Sequence, residues 1–152
     1  MKRSLMVFLL LWIALAVWRP AAAAMNCSIQ LSPFSFGNYD QGNAAPLDVA
    51  GQIGVRCVGS TGTFVAQIGA GGSGSFAQRQ MLSSAFRLGY NFYLNPSRTI
   101  VWGDGTGGSQ VSGGKAQPGQ QTFSLPVYGR VFPRQSVGAG TYRDDVLVTI
   151  IF

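Results

Sequence analysis

The fold is decided by one stretch of sequence, residues 140–152, which reads Gly140-Thr-Tyr-Arg-Asp-Asp-Val-Leu-Val-Thr-Ile-Ile-Phe152. Its last seven residues alternate with the period of a β-strand. One face carries Val146, Val148, Ile150 and Phe152, and the other carries Leu147, Thr149 and Ile151. Both faces are mainly apolar, so we expect a strand that is covered on both sides and lies in the middle of a sheet, because an exposed apolar edge promotes aggregation. The main question about this chain is which segment pairs with the far side of that strand.

The first 24 residues have the features of a signal peptide. Two positive charges follow Met1, residues 5–18 form a run of 14 uncharged and mainly apolar residues, and residues 22–24 are alanines suited to cleavage. The apolar run is shorter than the roughly 20 residues that a transmembrane helix needs. We therefore predict a signal peptide over residues 1–24, one mature domain over residues 25–152, and no stable membrane anchor after cleavage. Such a signal peptide would direct export by the Sec route.

The charge of the mature domain gives little support to nucleic-acid binding. Of the 11 basic residues, Lys2, Arg3 and Arg19 lie in the predicted signal peptide, so 8 basic and 5 acidic residues remain, a net charge of +3. Lys115 is the only lysine among them, and the basic residues form no run. A nucleic-acid-binding domain usually carries a clustered basic surface.

The composition also argues against catalysis. The sequence contains no histidine and no glutamate, which excludes Ser-His-Asp and Cys-His sites and leaves zinc without its usual ligands. The adjacent acids Asp144 and Asp145 would point to opposite faces of a strand, so we expect them to solvate the strand entry and not to flank one bond.

Two further motifs have a simple interpretation. Residues 69–74 match G-x-G-x-x-G, but no helix pattern follows and no acid stands near residue 94, so we interpret them as a flexible connection and not as a dinucleotide site. Asp104 stands alone among glycines, which favours a turn over a calcium site. We predict that the protein is not an enzyme and has no cofactor and no metal site.

The rest of the mature chain consists of short alternating runs separated by Gly, Pro, Asn and Ser, without a helical period. We expect the second and third strands to form a hairpin, Pro126 to mark an edge or a bulge, and the loop with Phe34 and Phe36 to place its rings on the core. The pattern predicts an all-β fold, a β-sandwich of about seven strands, with a small barrel as the alternative. The expected strands cover residues 27–31, 52–58, 63–68, 79–81, 86–94, 99–102, 121–132 and 146–152.

Cys27 and Cys57 are the only cysteines, and each lies in phase with the inward-facing residues of a predicted strand. An exported protein meets an oxidising compartment, so we expect a disulfide bond between them, with two free thiols as the alternative. Closing a loop of this length stabilises the fold by roughly 3.5 to 4 kcal/mol in the chain-entropy description.

Several aromatic residues have two possible roles. Tyr142 could make a hydrogen bond of the tyrosine-corner type at the entry to the last strand, or it could be a simple surface aromatic. Tyr90, Tyr93, Trp102 and Tyr128 could form a sugar-stacking surface, although aromatic residues on alternating strands more often belong to the core.

Seen in order, several short elements resemble the spore coat protein U family of secreted domains, which includes pilins of archaic chaperone-usher pili of the Csu type. The resemblance extends over nearly all of the mature chain, and the order and spacing of the elements are more specific than any one of them. The elements are Cys27, Phe36-Gly-Asn-Tyr39, Gln52-Ile-Gly-Val-Arg-Cys57, Arg79-Gln-Met81, Leu88-Gly-Tyr-Asn-Phe-Tyr93, Val101-Trp-Gly-Asp-Gly105, Val127-Tyr-Gly-Arg-Val131 and residues 140–149.

The resemblance implies an immunoglobulin-like sandwich that lacks its last strand. A periplasmic chaperone would hold such a domain, an usher would export it, and a neighbouring subunit would complete it with a donated strand. The interface residues would then be Tyr142, Val146, Val148, Ile150 and Phe152. The implied function is a non-catalytic structural subunit of a pilus or of a spore or cell coat, with roles in adhesion and biofilm formation.

One feature departs from polymerising pilins, and one other function stays open. Only Met25 and Asn26 would precede Cys27 after cleavage, so we expect the domain to accept a strand without offering one.

The alternative is a free-standing secreted module that binds glycans through Tyr93, Trp102 and the glycine-rich loop. A self-complete fold with saturable glycan binding would distinguish it.

Overall fold

The computed structural model describes residues 23–152, so nearly all of the predicted signal peptide lies outside the described residues. The described chain contains eight β-strands and one turn of 3-10 helix at Gly71–Ser73. This composition confirms the all-β prediction. The strands are β1 (Asn26–Gln30), β2 (Leu47–Gly59), β3 (Gly62–Ile68), β4 (Arg79–Ser83), β5 (Phe86–Tyr93), β6 (Ser112–Ala116), β7 (Gly119–Val131) and β8 (Val148–Ile151).

Two antiparallel sheets share one hydrophobic core. The larger sheet has five strands in the order β1-β2-β7-β5-β4, and the smaller has three in the order β6-β3-β8. Alternate residues of the strands face inward, as the period of two requires. The most deeply buried apolar side chains of the core are Val55, Cys57, Ala66, Tyr90, Trp102 and Val131.

The long strands β2 and β7 form the centre of the larger sheet. They pair continuously from Leu47 opposite Val131 to Gly59 opposite Gly119. Pro126 lies in this pairing, at a level that β5 does not reach, because β5 pairs with β7 only from Tyr128 to Val131. The edge position predicted for Pro126 is therefore confirmed locally, although β7 as a whole is a central strand.

The predicted disulfide bond is present. Cys27 of β1 lies directly opposite Cys57 of β2, and their sulfur atoms are 2.05 Å apart. Both residues are buried. The bond fixes the edge strand β1 to the centre of the larger sheet.

The predicted hairpin between the second and third strands is wrong. β2 pairs with β1 and β7, whereas β3 lies in the other sheet and pairs with β6 and β8. The turn between them therefore crosses from one sheet to the other, and Gly59 adopts a φ of 115° there, which a residue with a side chain rarely adopts. Turn residues between two alternating runs do not reveal whether the runs pair with each other.

The sequence pattern also missed β6, whose residues are Ser112–Ala116. The strand is rich in glycine and has no apolar alternation, so it lacks the usual signal. The strand pairs with β3 at a distance that requires glycine. A Cβ atom added to Gly113 would stand 2.3 Å from the carbonyl oxygen of Phe64.

A fully buried arginine joins the two sheets from inside. Arg79 of β4 donates hydrogen bonds to the carbonyl groups of Gly69 (2.8 Å), Ile68 (3.1 Å) and Trp102 (2.8 Å), and to Oδ1 of Asn91 in β5. Burial lowers the pKa of Arg79. Four acceptors surround its guanidinium group and replace the water that it loses on burial. Arg79 therefore holds β4 and β5 against the end of β3.

Candidate functional site

An open trough lies between two segments of chain on one side of the sandwich. We call residues 31–41 the first wall and residues 137–148 the second wall. The trough consists of two adjoining hollows of about 710 Å³ and 730 Å³, which share Phe34, Phe36, Met81 and Tyr142. Residues 31–36 and 142–148 line the first hollow, and residues 34–41 and 137–142 line the second. The two walls thus run in opposite directions along the trough.

Both walls have free backbone hydrogen-bonding groups. No residue of the first wall belongs to a strand. In the second wall only Val148 does so, while Arg143 forms an isolated bridge and the carbonyl oxygen of Leu147 accepts from Gly69. Arg143 makes two backbone hydrogen bonds with Leu82 of β4, of 2.7 Å and 3.0 Å, before the chain crosses to the smaller sheet and forms β8. Two adjacent walls with unpaired backbone are the arrangement that an additional strand would complete.

The floor of the trough is mainly apolar and comes from both sheets. Phe34 and Phe36 of the first wall lie on it, as the sequence predicted, and their rings contact Phe92 at 5.1 Å and Tyr90 at 5.5 Å between centroids. Edge-to-face contacts of this kind fix the ring positions. The other apolar floor residues are Ile53, Ile68, Met81, Leu88, Val127 and Val131.

Tyr142 fixes the second wall at one point. Its hydroxyl donates a hydrogen bond of 2.6 Å to the carbonyl oxygen of Gly138, four residues upstream. This bond confirms the tyrosine-corner interpretation, and the ring is half-buried against the core. Tyr142 also lines both hollows.

Asp144 fixes the second wall at another point, which corrects the expectation that it only solvates the strand entry. Its carboxylate accepts a hydrogen bond of 2.7 Å from the hydroxyl of Tyr90 and one of 2.8 Å from the backbone N–H of Gly72. Burial, together with the hydrogen bond to Asp144, raises the pKa of Tyr90, so that its hydroxyl stays protonated and donates. Asp145, in contrast, is exposed.

The strand β8 differs from the prediction for residues 146–152. It is shorter, it lies at the edge of the smaller sheet, and among the described residues it pairs only with β3. Its outer face is open, since Leu147 is 74% and Ile151 is 52% exposed. The expectation of a central strand covered on both faces is therefore wrong, because no second strand of residues 23–152 pairs with β8.

The open edge of β8 has a defined hydrogen-bonding register. The carbonyl oxygen of Leu147 accepts from the N–H of Gly69 at 2.8 Å, so the backbone groups of Leu147 point toward β3. Successive residues of an antiparallel strand direct their backbone groups to opposite edges. The N–H and C=O groups of Val148 and Ile150 therefore point to the open edge.

The residues predicted as a partner interface do not all lie in the trough. Tyr142, Val146 and Val148 line it, and Val146, Val148 and Ile150 pack against the core on one face, as the alternation indicated. Ile150 lies outside the hollows, and Phe152 is 53% exposed.

The residues of the alternative glycan site belong to the core. Trp102 is fully buried, and its indole N–H donates to the carbonyl oxygen of Ala66 at 3.0 Å. Tyr93 is also buried. A buried ring cannot stack on a sugar, so these two residues do not form the surface that this hypothesis needs.

The remaining polar motifs are structural. Asp104 accepts from the N–H (2.8 Å) and the hydroxyl (2.7 Å) of Thr106, and these hydrogen bonds lower its pKa, as expected for a turn. Residues 69–74 contain the single 3-10 turn that Asp144 holds, and not a helix with a phosphate site. In residues 23–152 no group of three or more potential metal ligands comes together, and no helix is long and apolar enough to cross a membrane.

Neither the first wall nor the tethering role of Asp144 was predicted from the sequence. The first wall has no strand alternation, and its signal is the pair Phe34 and Phe36 next to Pro33, which indicates an apolar segment without a partner. The contact of Asp144 with Tyr90 joins residues that are 54 positions apart, and no spacing rule encodes it.

Comparisons with known proteins agree with this architecture. The sequence profile of the Spore Coat Protein U domain matches residues 13–149. The chain is 33% identical over 131 residues to Protein U of Myxococcus xanthus, which covers 78% of this chain and 70% of that protein.

Among solved structures, the chain is similar to a chain of the CsuC-CsuE chaperone-tip adhesion subunit pre-assembly complex from archaic chaperone-usher Csu pili of Acinetobacter baumannii. The TM-score is 0.58 at 23% sequence identity, and the match covers 85% of this chain and 40% of that chain. At this identity the likeness shows a common fold.

Proposed function

The chain belongs to the Spore Coat Protein U family, and we propose that it is an exported structural subunit of a bacterial surface assembly that receives a β-strand from a partner protein in its trough. The observation that carries this proposal is the pair of walls, residues 31–41 and 137–148, which flank one apolar floor with unpaired backbone. A sandwich with a missing strand has this geometry.

The trough supports a strand as its occupant. At about 3.3 Å per residue, a wall of this length spans roughly 35 Å when extended, far more than a small ligand requires. A strand beside β8 would find the N–H and C=O groups of Val148 and Ile150 free, and it would bury alternate side chains on the floor. Each fully buried aliphatic side chain contributes about 1.5–3 kcal/mol.

The proposed partners are a periplasmic chaperone, an usher and neighbouring subunits. This chain shares its fold with one chain of the CsuC-CsuE complex, which is a chaperone-tip adhesion subunit pre-assembly complex of chaperone-usher pili. We extend that kind of partnership to this chain on the strength of the trough. Passage through the periplasm to the cell surface follows from the same proposal.

A non-catalytic role is part of the proposal. The sequence has no histidine or glutamate. Three of its five aspartates serve the fold: Asp48 pairs with Arg130, Asp104 holds a turn, and Asp144 holds the second wall. These contacts support a structural function.

The test is co-expression of the chain with the periplasmic chaperone of its host. We expect Val148→Arg, which places a charge in the trough, to abolish co-purification with the chaperone. Ile151→Arg is the matched control, because Ile151 is an aliphatic residue of the same strand that lies outside the trough and is 52% exposed.

Equal capture of both variants would contradict the proposal. So would amide hydrogen exchange in the chaperone-free chain that is as slow at Val148 and Ile150 as in the middle of β2, since it would mean that the edge of β8 is already paired.

A further inference from the structure

The trough contains one polar pair beneath its rim. Asp144 of the second wall and Tyr90 of β5 are joined by a hydrogen bond of 2.7 Å, and both line the first hollow. Tyr90 is almost completely buried and Asp144 is half-buried. The hydroxyl of Tyr142, which also lines this hollow, already donates to Gly138. The other polar residues that line it are exposed and can keep their water; they are Ser32, Gln52, Arg143 and Asp145.

The Asp144 carboxylate has hydrogen-bonding capacity left. An ionised carboxylate can accept about four hydrogen bonds. Within the described chain it accepts two, from the hydroxyl of Tyr90 and the N–H of Gly72. An apolar side chain placed over it would remove water from a charge without replacing it, which is unfavourable. A hydroxyl or amide group placed there could donate to it.

This pair matters because the alternation of a strand does not fix its register completely. A slip by one residue turns every apolar side chain to the wrong face, so the apolar floor alone prevents it. A slip by two residues keeps the same face inward, and an apolar floor discriminates weakly against it. A single polar position in an apolar interface specifies register in other assemblies, as a buried asparagine does in a coiled coil.

We propose that the Tyr90–Asp144 pair sets the register of the incoming strand by selecting a hydrogen-bond donor at one of its inward positions. The partner segment would carry apolar residues at its other inward positions and a serine, threonine or asparagine where it crosses Asp144. This inference rests on the proposed function, because it assumes that a strand fills the trough.

The experiment uses synthetic peptides of about ten residues, the length of a wall. The parent peptide has valine at every inward position and alternating lysine and threonine at the outward positions. In each member of the set, one inward valine is replaced by serine. The full mature chain is refolded from denaturant with each peptide, and the melting temperature is measured as a function of peptide concentration, which reports binding to the folded state.

We expect one serine position to bind at least about tenfold more tightly than serine at the other inward positions. In the double variant Tyr90→Phe/Asp144→Leu, which replaces both polar groups with apolar ones, the preference should disappear and the parent peptide should bind best. Thr122→Leu is the control, because Thr122 is an exposed polar residue of β7 that does not line the trough, and it should keep the preference of the unchanged chain.

Asp144→Asn is measured as well, since it conserves size and folds more readily than the double variant. It should reduce the preference, because covering a neutral amide is less unfavourable than covering a charge. A loss of affinity that is equal for all peptides would mean that Asp144 only supports the wall, and this would overturn the inference.

The other outcomes separate the two proposals. If no peptide raises the melting temperature of the unchanged chain, the proposed strand uptake fails, and the register inference fails with it. If all peptides bind the unchanged chain equally, strand uptake stands and the register inference is wrong. The register inference would also be wrong if the double variant or Asp144→Asn kept the full preference for one serine position.

Discussion

The central strands β2 and β7 and the two walls of the trough are similar in length and differ in almost every other respect. β2 and β7 pair without interruption, from Leu47 opposite Val131 to Gly59 opposite Gly119. The walls, residues 31–41 and 137–148, reach strand pairing only at Arg143 and at the start of β8. Apolar residues and length are present in both places, so the comparison shows that a partner, and not composition, makes a strand.

The two regions are also held differently. The β2–β7 side has the disulfide bond and an ion pair in which Arg130 donates to both carboxylate oxygens of Asp48, at 2.7 Å and 2.8 Å. The walls depend on the hydrogen bonds of Tyr142 and Asp144. Regions with few paired backbone groups open locally at little cost in free energy. We therefore expect the β2–β7 side to determine global stability and the walls to determine partner binding.

The largest effect should come from removing Arg79. Arg79→Met leaves the carbonyl groups of Gly69, Ile68 and Trp102 without this donor and removes one of the two hydrogen bonds that Oδ1 of Asn91 accepts. We expect the free energy of unfolding to fall by about 4–5 kcal/mol, measured by denaturant unfolding at low protein concentration. Arg87→Met, an exposed arginine on the neighbouring strand β5, is the control and should change it by less than about 0.5 kcal/mol. Similar losses in both variants would mean that the buried network does not hold the sheets.

Removing the disulfide bond should have the next largest effect. The variant Cys27→Ala/Cys57→Ala releases a cross-link over a sequence separation of 30. We expect a loss of about 3.5 kcal/mol in the same measurement. Reduction of the unchanged protein should give a similar loss. Because the bond joins β1 to β2, the amide exchange of residues 137–148 should stay unchanged, and faster exchange there would mean that the two regions are coupled.

A smaller effect is expected at the second wall. Tyr142→Phe removes only the hydroxyl that donates to Gly138. The loss in global stability should be about 1 kcal/mol or less. Amide exchange in residues 137–148 should become faster, while exchange in β2 and β7 should not change. Tyr128→Phe, at an aromatic hydroxyl on β7, is the control, and a uniform change along the chain in Tyr142→Phe would contradict the separation of the two regions.

The smallest effect on stability should come from protonating Asp48 of β2 at low pH. The hydrogen bond from Arg130, with smaller contributions from the charges of Arg130 and Arg98, lowers the pKa of Asp48. Its stabilising contribution is therefore complete above the unfolded-state pKa of about 4 and is lost as the pH falls through the lower folded-state pKa. The pair is partly exposed, so we expect at most about 1 kcal/mol.

Thermal unfolding between about pH 5 and pH 2 tests this expectation. Asp48→Asn should lower the melting temperature at pH 5, and its curve should approach that of the unchanged protein at low pH. Asp145→Asn, at an exposed carboxylate in the second wall, provides the control. A constant difference between Asp48→Asn and the unchanged protein at every pH would mean that the charge of Asp48 is not the cause.

The sequence predicts the paired strands of the sandwich better than it predicts the walls of the trough. The alternation of β2, β5 and β7 is local, so the strands and the all-β class were predictable, and the two in-phase cysteines indicated the disulfide bond. Pairing is not local. The hairpin of β2 with β3 was wrong because adjacent alternating runs can enter different sheets, and β6 was missed because glycines carry no alternation.

The candidate site was only partly predictable, for a related reason. The alternation of Val146, Val148 and Ile150 correctly indicated the face that packs on the core. The first wall and the Tyr90–Asp144 pair depend on contacts between residues far apart in sequence, which no spacing pattern reports. A fully buried arginine such as Arg79 is also unexpected from composition, since arginine is rarely buried without a specific set of acceptors.

The rings of the first wall have a consequence for the variation of this family. A Cβ atom added to Gly129 would stand 2.6 Å from the ring of Phe36, and one added to Gly51 would stand 2.9 Å from the ring of Phe34. The sheet thus gives up side-chain volume at two positions, and the wall supplies that volume from a distant part of the chain. The combined side-chain volume at the glycine position and at the ring above it is therefore what must stay constant. In homologous sequences, a larger residue at 51 or 129 should accompany a smaller one at 34 or 36.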